Sequence, residues 1–174
     1  GTTTQVRDAT GYMEDWSEID AKLVEKSKNP SKFRMNEGKA HIMGISHELA
    51  TQVIYGDTSV APETFTGLTA RYNDPTADNG NQLVNGTASG DSGSDKTSVW
   101  FVTWGEQATH LLYPEGSPLG IQRDDKGMST KELADGSLYD VYREKFGMDV
   151  GLSVRDWRAN VRICNIDVSS LTKN

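Results

Sequence analysis

Ser31-Lys32-Phe33-Arg34-Met35-Asn36-Glu37-Gly38-Lys39-Ala40-His41-Ile42-Met43-Gly44-Ile45-Ser46-His47-Glu48-Leu49-Ala50-Thr51-Gln52-Val53-Ile54-Tyr55-Gly56-Asp57 is the stretch on which the fold turns. Met35, Ile42, Ile45, Leu49 and Val53 recur at threes, fours or multiples of them, one stripe of a 3.6-residue helix, and Met43, Ala50 and Ile54 widen it. Pro30 and Ser31 supply a start signal, since serine can accept from the orphan amides of a first turn. Gly56 ends the run, because glycine is free to take a left-handed C′ conformation. At 1.5 Å per residue the predicted helix, residues 31–55, is about 37 Å long. That is a spine and not a connector.

Upstream, patches of alternation (Val6, Tyr12, Trp16) predict a strand over about residues 2–13, running into a short helix over about 17–28. Downstream, residues 57–97 read as a long irregular region rich in Gly, Asn, Asp, Ser and Thr, too long for a plain connector. Its one anchor is Phe65-Thr66-Gly67-Leu68. From residue 98 the period becomes two. Ser98 to Trp104 is β-branched and aromatic, and a turn at Gly105-Glu106-Gln107 leads into Ala108–Tyr113, so the pair predicts a hairpin. Residues 114–137 read as turns, with Pro114, Gly116, Pro118, Gly120, Gly127 and Gly136. Tyr139–Tyr142, Val150–Trp157 and Asn160–Ile166 read as three further strands. Asp167 would cap a helix starting at Val168, severed within one turn, which a lone turn cannot sustain.

The totals set limits. Apolar residues make up 35% of the 174, so a core is possible but not generous. The net charge is −7, from 25 acidic and 18 basic side chains, which argues against a dedicated nucleic-acid binder. Lys22, Lys26, Lys28 and Lys32 are interleaved with Asp20 and Glu25 and read as a solvated face. The single cysteine, Cys164, allows no internal disulfide and reads as a buried structural thiol. No run of about eighteen apolar residues exists, and Gly1-Thr2-Thr3-Thr4-Gln5 lacks the features of a signal peptide.

Motifs with catalytic associations fail on chemistry. Gly90-Asp91-Ser92-Gly93 spells the surroundings of a serine nucleophile, but His41 and His47 lie on the predicted spine, and the tetrapeptide sits where loops use these residues anyway. Read as Gly90 through Asp95-Lys96-Thr97, the stretch misses a phosphate loop by its second glycine, and a strand follows where a helix N-terminus is needed. His41 and His47 are six apart, which turns them about 240° from each other, so a zinc pair is excluded and both read as polar-face histidines. Asp74-x-Thr76-x-Asp78 begins like a calcium loop, but Asn79 and Asn85 stand where glycine and glutamate are required. Trp100 and Trp104 share strand parity and read as one core or subunit-interface face, and Trp16 and Trp157 add no stacking platform. No catalytic, cofactor-binding or metal-binding residue is assigned.

Two collinear segments carry a resemblance. Phe33-Arg34-Met35-Asn36-Glu37 through Ile54-Tyr55-Gly56-Asp57, then Pro62-Glu63-x-Phe65-Thr66-Gly67-Leu68, resembles the spine helix and following loop of tailed-phage major capsid proteins. The second runs from Ser98-Val99-Trp100 through Trp104-Gly105, Tyr113-Pro114-x-Gly116-Ser117 and Gly120-Ile121-Gln122. It continues with Gly151 to Arg158 and Val161 to Asp167, and together they resemble the epsilon-fifteen-like podovirus group. The resemblance implies an α+β Hong Kong 97-type capsid fold, incomplete here: a spine helix on an antiparallel sheet with an extended β-hairpin loop. On that mapping residues 1–30 are the returning limb of the extended loop with a junction helix, 31–56 the spine, 57–97 an irregular loop, and 98–174 a β-rich peripheral and axial region. Such proteins carry further sequence on both sides, so the chain reads as an internal fragment.

The implied function is a non-enzymatic subunit that self-assembles into an icosahedral head shell around the DNA genome. Its expected partners are copies of itself with scaffolding, portal or decoration proteins, without sequence-specific nucleic-acid or membrane binding, and without cofactors. It would be assembled in the host bacterial cytoplasm and reside in the virion. A non-viral nanocompartment shell protein shares the fold and stands as the alternative, with a small soluble ligand-binding or enzymatic β domain as the reading from another class.

Overall fold

The computed structural model describes residues 4–86, 94–169 and 171. Its elements run β1 (Gly11–Asp20), α1 (Ala21–Lys26), α2 (Pro30–Tyr55), α3 (Leu68–Arg71), a 3₁₀ turn (Gly80–Gln82), β2 (Leu83–Asn85) and β3 (Lys96–Val102). β4 (Thr109–Leu112), β5 (Gln122–Glu132), β6 (Leu138–Val154), a second 3₁₀ turn (Trp157–Ala159) and β7 (Asn160–Asp167) follow.

The spine is present as the 26-residue α2. Its cap differs from expectation. Asn29, not Ser31, accepts from the Lys32 amide at 3.0 Å, and Pro30 fills the first helical position, where a missing N–H costs nothing. Gly56 closes the helix for a reason other than handedness. Its φ is −55°, but a Cβ there would lie 2.3 Å from the Phe65 carbonyl oxygen and 2.5 Å from that of Gln52. The returning loop therefore crosses the helix end at backbone distance, and Gly67 N donates to Gly56 O at 2.8 Å. The expected Phe65–Leu68 anchor is real: Phe65 and Leu68 are both buried in the core.

β6 organises the rest. It is one 17-residue strand where the sequence suggested two separate pieces. Its antiparallel neighbours are β1 along one edge, from Gly11 opposite Val150 to Asp20 opposite Val141, and β5 then β4 along the other. The apolar alternation Phe146, Met148, Val150, Leu152 faces α2 and forms the core with Ile45, Val53, Phe65, Leu68 and Tyr72. A second sheet, β2–β7–β3, stands beside it, with β2 parallel to β7 and β3 antiparallel.

Several expectations are corrected. Residues 17–20 continue β1 and are not helical, because Ser17 and Ile19 alternate into the buried face opposite Glu144 and Tyr142. The segments around residues 98–104 and 108–113 do not form a hairpin. β3 pairs with β7 and β4 with β6, so the connection carries the chain from one sheet to the other. Residues 122–132, expected as turns, form the 11-residue β5. Its polar sequence QRDDKGMSTKE hides the strand, which forms because the edge of β6 is open, with a bulge between Asp125 and Gly127. Gly127 takes the φ of +72° that this bulge requires. Residues 57–97 contain α3, a 3₁₀ turn and β2. After β7 the chain turns at Val168 and Ser169, with Asp167 Oδ1 accepting from Ser169 N at 3.1 Å; the rest of the helix expected from Val168 falls largely outside the described residues. Cys164 is half-exposed, its Sγ 3.5 Å from the Val84 carbonyl oxygen, and not buried as expected.

Candidate functional site

The residues singled out for chemistry are not brought together. Gly90-Asp91-Ser92-Gly93 lies outside the described residues, and Lys96 and Thr97 open β3. His47 faces solvent, while His110 sits on β4 opposite Ser153. His41 departs from its polar-face reading: it looks onto the sheet, with Nδ1 2.7 Å from Asp15 Oδ2 and its ring stacked on Phe146 at 5.9 Å. Asp74 Oδ1 accepts from the Thr76 hydroxyl and amide, and those bonds hold its carboxyl below the usual range; this is a turn. Trp100 and Trp104 part company. Trp100 packs edge-on against Tyr72 with the Arg162 guanidinium over its ring, whereas Trp104 lies past the end of β3 and is exposed. Among the described residues, no three His, Cys, Asp or Glu side chains group to hold a metal, and no helix is long and apolar enough to cross a membrane.

Three constellations unforeseen in the sequence shape the surface instead. The first is a charge cluster between α2 and the β5–β6 hairpin. Glu144 is wholly buried on the inward face of β6. Arg123 of β5 donates to both its oxygens, at 3.0 and 2.6 Å, and Arg34 of α2 lies 2.6 Å from Oε1. Arg34 Nη2 also donates to Asp125 Oδ1 at 2.7 Å, which holds the Asp125 carboxyl below its ordinary range, and its guanidinium lies 4.8 Å from the Tyr142 ring centre. The cluster joins helix, central strand and edge strand. A signal for it existed: Glu144 shares the parity of Phe146, Met148, Val150 and Leu152, but that parity is legible only once β6 is known to be continuous.

Along this cluster runs a groove of about 480 Å³ lined by Met35, Gly38, Ile42 and Phe146, with Arg34, Arg123, Asp125 and Glu144 of the cluster itself. α2 comes closest to the sheet at Gly38, where a Cβ would lie 2.9 Å from Phe146 Cζ. On the solvent side of that contact, the expected apolar stripe is incompletely covered: Met35 is 57% and Ile42 40% exposed. Burial is confined to Gly38, Ile45 and Val53 along the helix. Uncovered apolar side chains beside a groove mark contact surface more often than catalytic surface.

The second constellation is a polar knot where the two sheets meet. Asn160 is wholly buried at the start of β7. Its Oδ1 accepts from the Thr103 amide at 3.2 Å and the Thr109 hydroxyl at 3.0 Å, and its Nδ2 donates to Tyr72 Oη at 3.2 Å. Tyr72 Oη in turn donates to the Trp157 carbonyl at 2.8 Å, and burial pushes the Tyr72 phenol up. The third is the outer face of the β1–β6–β5 sheet, laced by ion pairs. Glu18 meets both Lys131 and Arg143, and Lys145 meets Glu14 at 3.1 Å while lying over the Tyr12 and Trp16 rings.

Comparison with solved structures gives two relevant likenesses. A chain of the cryo-EM-derived structure of bacteriophage Epsilon15 superposes with a TM-score of 0.61 at 34% identity, covering 98% of this chain. This chain spans about half the length of that one, 52%. The SrpI encapsulin of Synechococcus elongatus PCC 7942 superposes with a TM-score of 0.61 at 11% identity, covering 95% of this chain and 77% of that one. A comparison with curated protein sequences gives no match. A spine helix across an antiparallel sheet, shared with a phage chain and an encapsulin, is the Hong Kong 97-type capsid fold. The sequence model described as Major capsid protein GP7 matches residues 1–174, and the chain belongs to that family.

Proposed function

We propose that the protein is a structural, non-catalytic subunit that assembles with copies of itself into the icosahedral head shell of a tailed phage or prophage around its DNA. One observation carries the reading: the family match runs over residues 1–174, and the 34% identity to the Epsilon15 chain extends over 98% of this chain. The surface supports it, since its conspicuous features are uncovered apolar side chains and ion-paired faces. Scaffolding, portal or decoration proteins are the further partners, assembly takes place in the host bacterial cytoplasm, and the virion is the destination. Within the chain, residues 31–56 act as the spine. Residues 1–30 lead in from the extended loop, 57–97 form the irregular excursion, and 98–174 belong to the peripheral and axial β region.

The net charge of −7 suits a wall that must not adhere to packed DNA. The test is expression of the full-length protein with its assembly partners, followed by electron microscopy. Closed shells or capsomers are expected, and a protein that stays monomeric across conditions refutes the proposal. The second reading, a nanocompartment shell, is favoured only by the SrpI likeness at 11% identity. Neighbouring genes separate the two: portal and terminase genes support a phage head, whereas a cargo enzyme with a docking tail supports a compartment.

A further inference from the structure

The two sheets share no strand, and the chain passes between them at residues 72–82, 103–108 and 155–159. Hydrogen bonds from all three crossings meet on Tyr72 and Asn160, both wholly buried. The Thr103 amide reaches Asn160 Oδ1, and the Trp157 carbonyl takes the Tyr72 hydroxyl. The end of α3 extends this knot to both sheets. Arg71 Nη2 donates to the Leu152 carbonyl of β6 at 2.8 Å and to Asp8 Oδ1 at 2.7 Å, which ties it to the first sheet. Tyr72, the next residue, is tied to the second: its carbonyl accepts from Arg162 Nη1 of β7 at 2.7 Å, and its hydroxyl from Asn160 Nδ2 at 3.2 Å. Asn79 Nδ2, on the way into β2, donates to the Arg71 carbonyl at 2.7 Å. Two consecutive residues therefore clip β6 to β7.

Apolar contact also spans the junction, since Trp100 and Val102 of β3 pack against the core. Such contact is non-directional and tolerates a small rotation of one sheet on the other. Hydrogen bonds do not, because they weaken steeply once bent below about 120°. A buried polar network whose members are satisfied rigidifies its surroundings and specifies one arrangement. The angle between the sheets is therefore held by the clip, with the apolar contacts supplying adhesion.

That angle matters to a shell subunit. Copies related by a fixed rotation close into a finite assembly only for particular values of it, and other values leave the assembly open. In a wall one subunit thick, neighbours surround each copy and both sheets carry contacts. A contact made through one sheet is oriented against a contact made through the other only by what joins the sheets. We propose that Arg71, Tyr72, Asn160 and Arg162 are positioning residues that set the angle between the two sheets, and through it the curvature and diameter of the shell. The inference rests on the shell reading.

The experiment uses the full-length protein and two readouts. Tyr72→Phe with Arg162→Met removes the bonds from α3 to β7 and keeps the buried ring. Gly38→Ala, destabilised on α2 away from the junction, is the control. In the first readout, each protein is assembled with its partners and particle diameters are measured by electron microscopy. The unaltered protein and the control should give one diameter, and the clip variant several diameters with open sheets. In the second, spin labels at Thr97→Cys and His47→Cys, exposed positions on β3 and α2, are placed in a Cys164→Ser background. The distance distribution between them before assembly should be narrow, and should broaden when the clip is removed. A distribution that stays narrow, or a clip variant that keeps the single diameter, overturns the inference and leaves the shell reading intact. Mixed diameters in Gly38→Ala also overturn it, since lost stability is then the cause. If the double variant does not fold, Tyr72→Phe alone is read in the same way. An unaltered protein that never assembles overturns the shell reading and the claim about curvature with it.

Discussion

Replacing Glu144 by Gln keeps shape and volume at the centre of the Arg34–Glu144–Arg123 cluster and removes only the charge. Removing one partner of a buried ion pair costs about 3–5 kcal/mol, because the remaining charge is left without compensation. Two guanidiniums are left here, and they differ. The Arg123 side chain is half exposed and can turn toward water, so its share is discounted heavily. The Arg34 side chain is 15% exposed and keeps Asp125 as its one remaining counter-charge, beside the Tyr142 ring. We therefore expect a loss of about 2–3 kcal/mol. At about 2–4 °C per kcal/mol for a chain of this size, the melting temperature should fall by about 5–10 °C. Urea unfolding followed by circular dichroism gives the free energy, and Arg34→Met with the double variant completes a cycle. If helix and hairpin are joined through this pair, the double variant loses clearly less than the sum of the singles. A Glu144→Gln loss below about 0.5 kcal/mol, in the range of ordinary surface substitutions, would refute the reasoning.

Asn160→Ala strips partners from the Thr103 amide and the Thr109 and Tyr72 hydroxyls at once, and should cost about 2–3 kcal/mol in denaturant unfolding. Two helical glycines should respond with opposite sign. Gly38→Ala drives a methyl into the buried Phe146 ring and should lose about 1–2 kcal/mol despite better helix propensity. Gly44→Ala, whose Cβ would meet nothing closer than Asp15 Oδ2 at 3.9 Å, should gain about 0.5–1 kcal/mol. Hydrogen bonding to Lys131 holds Glu18 below its ordinary range, and hydrogen bonding to Lys145 does the same for Glu14. A depressed folded pKa stabilises fully above the unfolded value near 4.5 and ceases to do so as pH falls through the folded one. The melting temperature should therefore hold down to about pH 4.5 and drop below it, and Glu14→Gln with Glu18→Gln should make that drop shallower.

What the sequence disclosed follows from which signals are local. α2 was legible because its period, Pro30 and Gly56 all lie within one window. Even there, periodicity could not say which part of the stripe the sheet covers, so Met35 and Ile42 were expected inside and are outside. β7 was legible from its alternation. β5 was not, since a strand laid on the edge of another needs no apolar face, and its cross-strand charges have meaning only beside β6. The β3–β4 hairpin was a reasonable inference from adjacency, overruled by pairings with β7 and β6 tens of residues away. Glu144 and Asn160 escaped for the same reason: a buried polar residue is identified by its partners, and Arg34 lies 110 positions before Glu144 and Tyr72 88 before Asn160.

The shared strand β6 also has a cost in time. β1 finds its partner only when residues 141–150 exist, roughly 130 positions later. At ribosomal rates of about 5–20 residues per second, the nascent β1 waits on the order of ten seconds with both edges unpaired. During that interval Met13, Ile19 and the ring of Trp16 lack the β6 partner that covers them in the fold. The chain is thus most vulnerable to mispairing before β6 emerges, and slowing synthesis just ahead of residue 138 should lower its soluble yield.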